Sequence, residues 1–594
     1  MSGEKAMNRN FVYWKIVLGL ILLGLSGTLQ AYQNFKVAVY CTRFDVEKLA
    51  DETYFQNSLS ALSKFITIDK VYLEVHRRTP VDSEILKKVK ERFAERGIRT
   101  AGGITATKER GNSRHFKVLC YSDARDVELL LNAMETAARI FDECILDDVF
   151  FTDCRCPGCI EAKGTQSWSS FRLKKMSEIS QLLVERARAI NPKIKMVIKY
   201  PNWYEFYQET GYNLQTQPKI FDGIYTGTET RHPVYTHQNL QPYQSYSIVR
   251  FLENVAAGKN GGGWVDPLDR GTMDRYADQL YLTLFAGAGE ITLFHWDGLF
   301  DKKLKGRFVS SLAAVAGSVF ETADQILPAL KNPRALTVYK PLHSRGENFL
   351  PSYLGMIGVP VEITPELPQT VDAVLLTANA AGDTGIVPKI QEMLLNGTKV
   401  ILTSGLLEKL KDKGIRQIIN AGMNGPVVID RCSDLNFKDV YRTRRDILLP
   451  GLILPTNDAW REVLGITPGG SSVPLLSYAA YGTGEIWLLT VPFDFAQFYD
   501  LPRQTLWQIR QFLLEDQKVI LDAPANVAFF NFNDQTLLVY SFKSHAAKVG
   551  LVFKQKTKVI DFFSGREMTL KTTDKGHVVE WTLPAGQFKV LQLR

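Results

Sequence analysis

From residue 36 onward, short apolar runs alternate with longer segments whose apolar positions recur every three to four residues. The short runs at 36–41, 70–75, 98–104, 144–150, 194–200, 223–228, 261–265 and 290–294 read as strands. Between them, 46–65, 83–95, 126–140, 169–189, 273–286 and 305–327 read as amphipathic helices. Glycine or proline marks many of the joints, as at Arg96-Gly97 and Asn191-Pro192. Eight strand–helix units in about 290 residues are the size of a (β/α)8 barrel, whereas a doubly wound sheet rarely needs eight in a row.

The pattern changes near Asn332-Pro333. Strand-like runs at 335–339, 373–376, 399–402 and 485–491 mix with helical stretches at 386–395 and 505–514, which predicts a second α/β domain with a partly parallel sheet. From about Ala523 the helices stop, and six alternating runs separated by turn signals predict a small antiparallel β-sandwich. The expected organisation is therefore a leader at 1–31, a barrel at 32–331, an α/β domain at 332–520 and a β-sandwich at 521–594.

Composition narrows the class. With 45% hydrophobic and 23% charged residues, the 594-residue chain is neither disordered nor collagen-like. The net charge of +8 comes from 71 basic against 63 acidic residues spread along the chain, so nucleic acid is not the expected partner. At the start, Lys5, Arg9 and Lys15 precede an apolar stretch at 16–25 and small residues ending at Ala31, the pattern of a secretory signal. An uncleaved anchor is the alternative; either way the expectation is an exported protein, periplasmic or secreted, that meets a membrane only through this segment.

All seven cysteines lie beyond that segment, and three sit in Cys154-Arg155-Cys156-Pro157-Gly158-Cys159. A closed zinc site needs a fourth ligand from elsewhere, with Cys41, Cys120 or a histidine as the options. A buried thiol cluster or a loop disulfide is the simpler expectation, and no metal or cofactor is assigned.

Barrel active sites lie at the carboxyl ends of the strands. Here those ends carry Glu74 and His76; Asp147 and Asp148; Glu229 and Arg231; Asp266; and His295 and Asp297. Aromatic residues lie among them: Tyr200, Trp203, Tyr204, Tyr225, Trp264 and Trp296. Carboxylates gathered at one mouth repel each other and are tolerated mainly where function needs them. Flat rings beside carboxylates suit sugars, and glycoside hydrolysis needs two carboxyl groups across the scissile bond. Asp148, Glu229, Asp147 and Asp266 are the catalytic candidates. Glu74, His76, Tyr200, Asn202, Trp203, Arg231, Trp264, His295, Trp296 and Asp297 are the candidates for binding a carbohydrate. Asp147 and Asp148 are adjacent, so in a regular strand only one faces the barrel. Glu229 has a structural alternative, a pair with Arg231. At the level of function, a non-catalytic carbohydrate-binding protein and a metal-assisted hydrolase are the alternatives.

The order of barrel, α/β domain and β domain resembles the bacterial β-galactosidases that carry a trimerisation domain. The Cys154-x-Cys156-x-x-Cys159 segment followed by Phe171 is similar to a loop after the fourth strand in many glycosidase-like barrels. The resemblance implies a Rossmann-like or class I glutamine-amidotransferase-like middle domain and a possible homo-oligomer. The galactosidase motifs differ, because that family has glutamates at the fourth and seventh strands where this chain has Asp147-Asp148 and Asp266. An aspartate at the fourth strand with an acid at the sixth is closer to α-galactosidase-like and α-glucosidase-like barrels. That likeness implies Asp148 as nucleophile and Glu229 as acid/base.

Overall fold

A computed structural model describes residues 31–109, 117–234, 236, 238–269, 271–301, 308–434, 436–456 and 458–594. All of the leader segment except Ala31 lies outside these residues. Among the described residues no helix is long and apolar enough to cross a membrane.

Eight parallel strands close into a barrel: β1 (Lys36–Cys41), β2 (Lys70–Pro80), β3 (Arg99–Lys108), β4 (Glu143–Leu146), β5 (Lys195–Tyr200), β6 (Gly223–Gly227), β7 (Asn260–Val265) and β8 (Glu290–Phe294). Closure comes from β1 pairing with both β2 and β8. Strand parity sorts the side chains. Ala38, Tyr40, Tyr72, Ala101, Ile145, Val197, Tyr225 and Trp264 fill the interior. Their neighbours, such as Val37, Val39, Leu73 and Ile198, pack outward in the larger core shared with the helices. Gly103 makes the interior possible, since a Cβ there would lie 2.6 Å from the Tyr40 ring.

Two strands differ from expectation in ways that shape the site. β2 runs to Pro80 and bulges between Glu74 and His76, which breaks the parity that would put both on one face. β4 ends at Leu146 rather than at residue 150. There the Asp147 carboxylate accepts from the Asp148 backbone N–H at 2.8 Å, and this local turn peels the chain off the ladder.

The middle of the chain forms a nine-stranded sheet. Its parallel half comprises β9 (Leu336–Tyr339), β10 (Val361–Thr364), β11 (Ala373–Leu376), β12 (Lys399–Thr403) and β17 (Gly484–Leu489). The spatial order β10-β9-β11-β12-β17 is the 2-1-3-4-5 order of doubly wound folds, not the six-strand dinucleotide-binding order. An antiparallel extension follows, made of β13 (Gly422–Asp434), β14 (Val440–Ile453), β15 (Trp460–Ile466) and β16 (Ser472–Tyr481). The C-terminal residues form two antiparallel sheets packed on a shared apolar core. One of these sheets recruits Pro333–Arg334 and the other Val519–Asp522, so the β-sandwich clasps both ends of the middle unit.

Polar bonds tie the units together. Arg510 is fully buried and donates to the carbonyls of Ile357, Leu521 and Ala523. The Tyr540 hydroxyl donates to Asp278 on a barrel helix at 2.6 Å.

Candidate active site

The centre of the barrel mouth is the Lys199 ammonium. It lies 2.8 Å from Asp148 Oδ2, 3.0 Å from Glu229 Oε1 and 3.5 Å from Asp147 Oδ1, over the Trp264 ring at 4.1 Å from its centroid. The Lys199 side chain is 2% exposed. It was not among the residues singled out from sequence, yet a signal was there. Val197 is an interior residue, and strand parity sends Lys199 to the same face.

Both aspartates of the pair reach this ammonium, so the expectation that only one faces the barrel does not hold. It assumed a regular strand through both residues, and the regular strand ends at Leu146. The two residues differ in surroundings. Asp147 is enclosed by Lys199, by Arg77 Nη2 at 3.4 Å and by Thr105 Oγ1 at 3.1 Å. Burial alone would raise its pKa, but the two cations hold it below the usual carboxylate range. The Asp148 side chain is 30% exposed toward the mouth. Burial, together with the neighbouring Asp147 and Glu229 charges, outweighs Lys199 and pushes its pKa up to about 6.

Glu229 lies just past β6, with its backbone carbonyl held by Asn202 Nδ2 at 2.5 Å. One carboxylate oxygen contacts Lys199; the other, Oε2, is buried with no hydrogen-bond partner. Gly227 provides the room, since a Cβ there would stand 2.7 Å from that oxygen. Burial raises the Glu229 pKa despite Lys199. The alternative pairing of Glu229 with Arg231 is not what forms: Arg231 Nη2 bonds Asp266 at 2.9 Å instead. Asp266 is 4% exposed and also accepts from the Leu268 N–H, so both of its carboxylate oxygens are engaged.

Other residues read as ligand contacts are engaged elsewhere. Glu74 is fully buried and accepts from Tyr40 OH at 2.8 Å, from the Arg43 N–H, from Arg77 Nε and from Thr105. His76 is buried with Nε2 at 2.9 Å from the Thr107 carbonyl. Tyr200 packs outward among Tyr207 and Tyr212. Trp296 is fully buried against Phe93, with its indole N–H on Ser58. Trp264 is the floor beneath Lys199. His295 Nδ1 contacts Asp45 at 2.9 Å, and Asp297 contacts Lys48 and Tyr54. Asp45, in a capping box with Thr42, was not foreseen; the Thr42-x-x-Asp45 spacing was its signal. Trp203 keeps part of its ring open beside Phe151 and Tyr212.

The seven cysteines are free thiols, which removes the disulfide option. Cys120 joins Cys154, Cys156 and Cys159, and the four Sγ atoms lie within 4.8 Å of one another. Cys120 Sγ is 3.5 Å from that of Cys159 and 3.7 Å from that of Cys156. A tetrahedron with Zn–S bonds of about 2.3 Å has edges of roughly 3.8 Å, so four thiolates at these spacings fit zinc. The cluster ties the loop after β4, which carries Asp147 and Asp148, to the segment after β3.

The family described as "probable glycosyl hydrolase, catalytic domain" matches residues 26–325, just over half the chain. The chain belongs to this family. It is a glycoside hydrolase with its barrel as the catalytic unit. A second model, the second domain of the uncharacterized protein SSO3021, matches residues 333–493. SSO3021 of Saccharolobus solfataricus is itself 27% identical over 412 residues, 64% of this chain and 67% of that protein. Among solved structures, the β-galactosidase from Bacillus circulans sp. alkalophilus superposes with a TM-score of 0.63 at 11% identity, covering 95% of this chain and 99% of that one. That from Rahnella sp. R3 gives 0.64 at 11% identity, over 96% and 100%. The exo-β-1,4-mannosidase Op5Man5 from Opitutaceae bacterium strain TAV5 gives 0.51 at 13%, over 78% and 92%. At such identities these structures establish a shared architecture.

Proposed function

We propose that this glycosidase is exported and cleaves a poly- or oligosaccharide with retention of anomeric configuration, Asp148 acting as nucleophile and Glu229 as acid/base. The observation that carries this reading is the ammonium shared between them. Contacts of 2.8 and 3.0 Å to one nitrogen bound the separation of those two carboxylate oxygens at 5.8 Å. Such proximity is compatible with the separation of about 5–5.5 Å between the carboxyl groups of retaining enzymes. The environments divide the roles. Glu229 is buried with a raised pKa, which favours the protonated form that gives a proton to the leaving oxygen. Asp148 opens to the mouth where an anomeric carbon would sit. Trp203, with its partly open ring beside Asn202, is the sugar-stacking candidate among the aromatic residues.

The test is to follow Glu229→Gln across leaving groups and to identify the first-formed product. Hydrolysis of unactivated glycans should fall by about 10²–10⁴-fold. Dinitrophenyl glycosides, whose leaving group needs no proton, should lose far less. Proton NMR of the wild-type reaction should show the retained anomer first; an inverted first product overturns the assignment.

The thiol cluster is read as a structural zinc site held by Cys120, Cys154, Cys156 and Cys159. Four protein ligands leave no open position, so the ion would brace the β4 loop rather than enter the chemistry. Protein purified without chelator should carry about one zinc per chain. Cys159→Ser should lose most of that zinc and lower the unfolding temperature, measured by plasma mass spectrometry and calorimetry. Equal metal content and stability in the variant would dismiss the site.

A further inference from the structure

Retaining hydrolysis moves one negative charge between two carboxylates. In the first step an oxygen of Asp148 bonds to the anomeric carbon. The bond from that carbon to the leaving oxygen breaks, and the freed electron pair takes the proton of Glu229. Asp148 is then a neutral ester and Glu229 an anion. In the second step Glu229 removes a proton from water, the water oxygen bonds to the anomeric carbon, and Asp148 leaves as a carboxylate. The pair carries one negative charge throughout, but the charge changes seat.

We infer that Lys199 is the positioning residue that holds this charge at both seats, pairing with Asp148 in the resting enzyme and with Glu229 in the glycosyl-enzyme. The inference rests on the assignment of Asp148 and Glu229 above. Its support is geometric. The ammonium is almost equidistant from the two oxygens, at 2.8 and 3.0 Å, and needs no movement to serve either. Trp264 below it and burial to 2% exposure keep it there. A charge already fixed in place stabilises a shifting anion without reorganisation at the moment of reaction.

The other charged groups around the site are committed. Arg77 on β2 is held by Glu74 and Asp147, and Arg231 beyond β6 is held by Asp266 beyond β7. On β1 Tyr40 is a neutral donor to Glu74, and Tyr212 donates to the backbone carbonyl of Asp148. Among the described residues, Lys199 is therefore the one cation in contact with Asp148 and Glu229. Asp147 also touches it, at 3.5 Å, but has Arg77 as a second partner.

The experiment compares thermal unfolding of the wild type, Lys199→Met and the triple variant Lys199→Met/Asp148→Asn/Glu229→Gln between about pH 5 and about pH 8. Without the ammonium, the two neighbouring carboxylates, one of them buried, have folded pKa values above their unfolded ones. Their penalty grows as pH rises and fades as pH falls. Lys199→Met should therefore show its largest loss of melting temperature near the alkaline end, and the triple variant should regain most of it. A loss that is constant with pH and unrelieved in the triple variant would mean that Lys199 only fills space, and would overturn the inference.

On any 4-nitrophenyl glycoside that the wild type hydrolyses, Lys199→Met should lower kcat by about 10²–10³-fold with KM little changed. The acid limb of its pH profile should move up by about one unit or more, and Lys199→Arg should restore part of both. The two readings fail separately. Full turnover by Asp148→Asn removes the nucleophile assignment whatever the unfolding curves show. An inactive Asp148→Asn beside a pH-independent Lys199→Met deficit removes only the role of Lys199.

Discussion

Asp148→Asn is expected to leave a folded protein that binds its glycan and no longer hydrolyses it. The change swaps one carboxylate oxygen for an NH2 of similar size, so an oxygen can still face Lys199 and the Tyr212 bond to the backbone carbonyl survives, while the attacking anion is lost. Turnover should fall by about 10⁴–10⁶-fold, the scale on which losing a covalent nucleophile acts. The wild type should show the matching pH dependence. Asp148 titrates at about 6, so kcat/KM should rise as the pH passes upward through that value and the carboxylate ionises. Burial raises the Glu229 carboxyl as well, which extends upward the pH range over which it keeps the proton it must donate. Azide supplied to Asp148→Gly sharpens the test. A small anion in the vacated space should restore cleavage of activated aryl glycosides and give a glycosyl azide of inverted configuration. If Asp148→Asn keeps even a tenth of wild-type activity, another residue attacks.

The barrel was legible because its code is local. Parity along β1, β6 and β7 and the three-to-four spacing of the intervening helices appear in any window of a dozen residues. The expected position of the site, at the carboxyl ends of the strands, follows from the fold alone. What failed depended on distant partners or on departures from regular geometry. Glu74 looked like a mouth carboxylate, and the bulge that separates it from His76, with Arg77 curling back onto it, has no signature in Val75-His76-Arg77. Asp147 and Asp148 read as strand residues, whereas regular strand geometry ends at Leu146 and the Asp147 side chain accepts from the Asp148 N–H as the chain turns. The pairing of Arg231 with Asp266 rather than Glu229 joins the ends of neighbouring strands and depends on their register. Cys120 was one of three options for a fourth ligand, and sequence spacing could not choose among them. Lys199 is different, since parity with Val197 already pointed it inward. A lysine is simply not the residue type that glycoside hydrolysis calls for, so parity alone does not mark it as part of the site. The antiparallel extension β13–β16 went unread because its exposed face carries Val428, Leu448 and Ile453, which blurs the alternation of a half-buried strand.

Arg77 is the group in the mouth whose loss should cost the most stability. Its Nε donates to both oxygens of Glu74 at 2.9 Å, and its Nη2 reaches Thr105 at 3.0 Å and Asp147 at 3.4 Å. Glu74 is fully buried and Asp147 is 5% exposed, so neither has water as an alternative partner. Arg77→Met keeps most of the packing volume and removes the charge. The expected loss is about 3–5 kcal/mol at neutral pH, the usual consequence of leaving a buried carboxylate without its cation. The sign with pH follows from Asp147. Burial alone would raise its pKa, but Lys199 and Arg77 together depress it. Its contribution is therefore present in the wild type above the ordinary carboxylate range and lost as pH falls through the depressed value. Removing Arg77 takes away part of that depression, so the gap between variant and wild type should be widest near neutrality and narrow toward about pH 4. Urea midpoints at several pH values measure this. Adding Glu74→Gln to Arg77→Met separates the causes. If the penalty is an uncompensated charge, the double variant should be more stable than Arg77→Met alone. If it is lost packing, the second substitution should make matters worse, and the electrostatic account of how the mouth is held together fails with it.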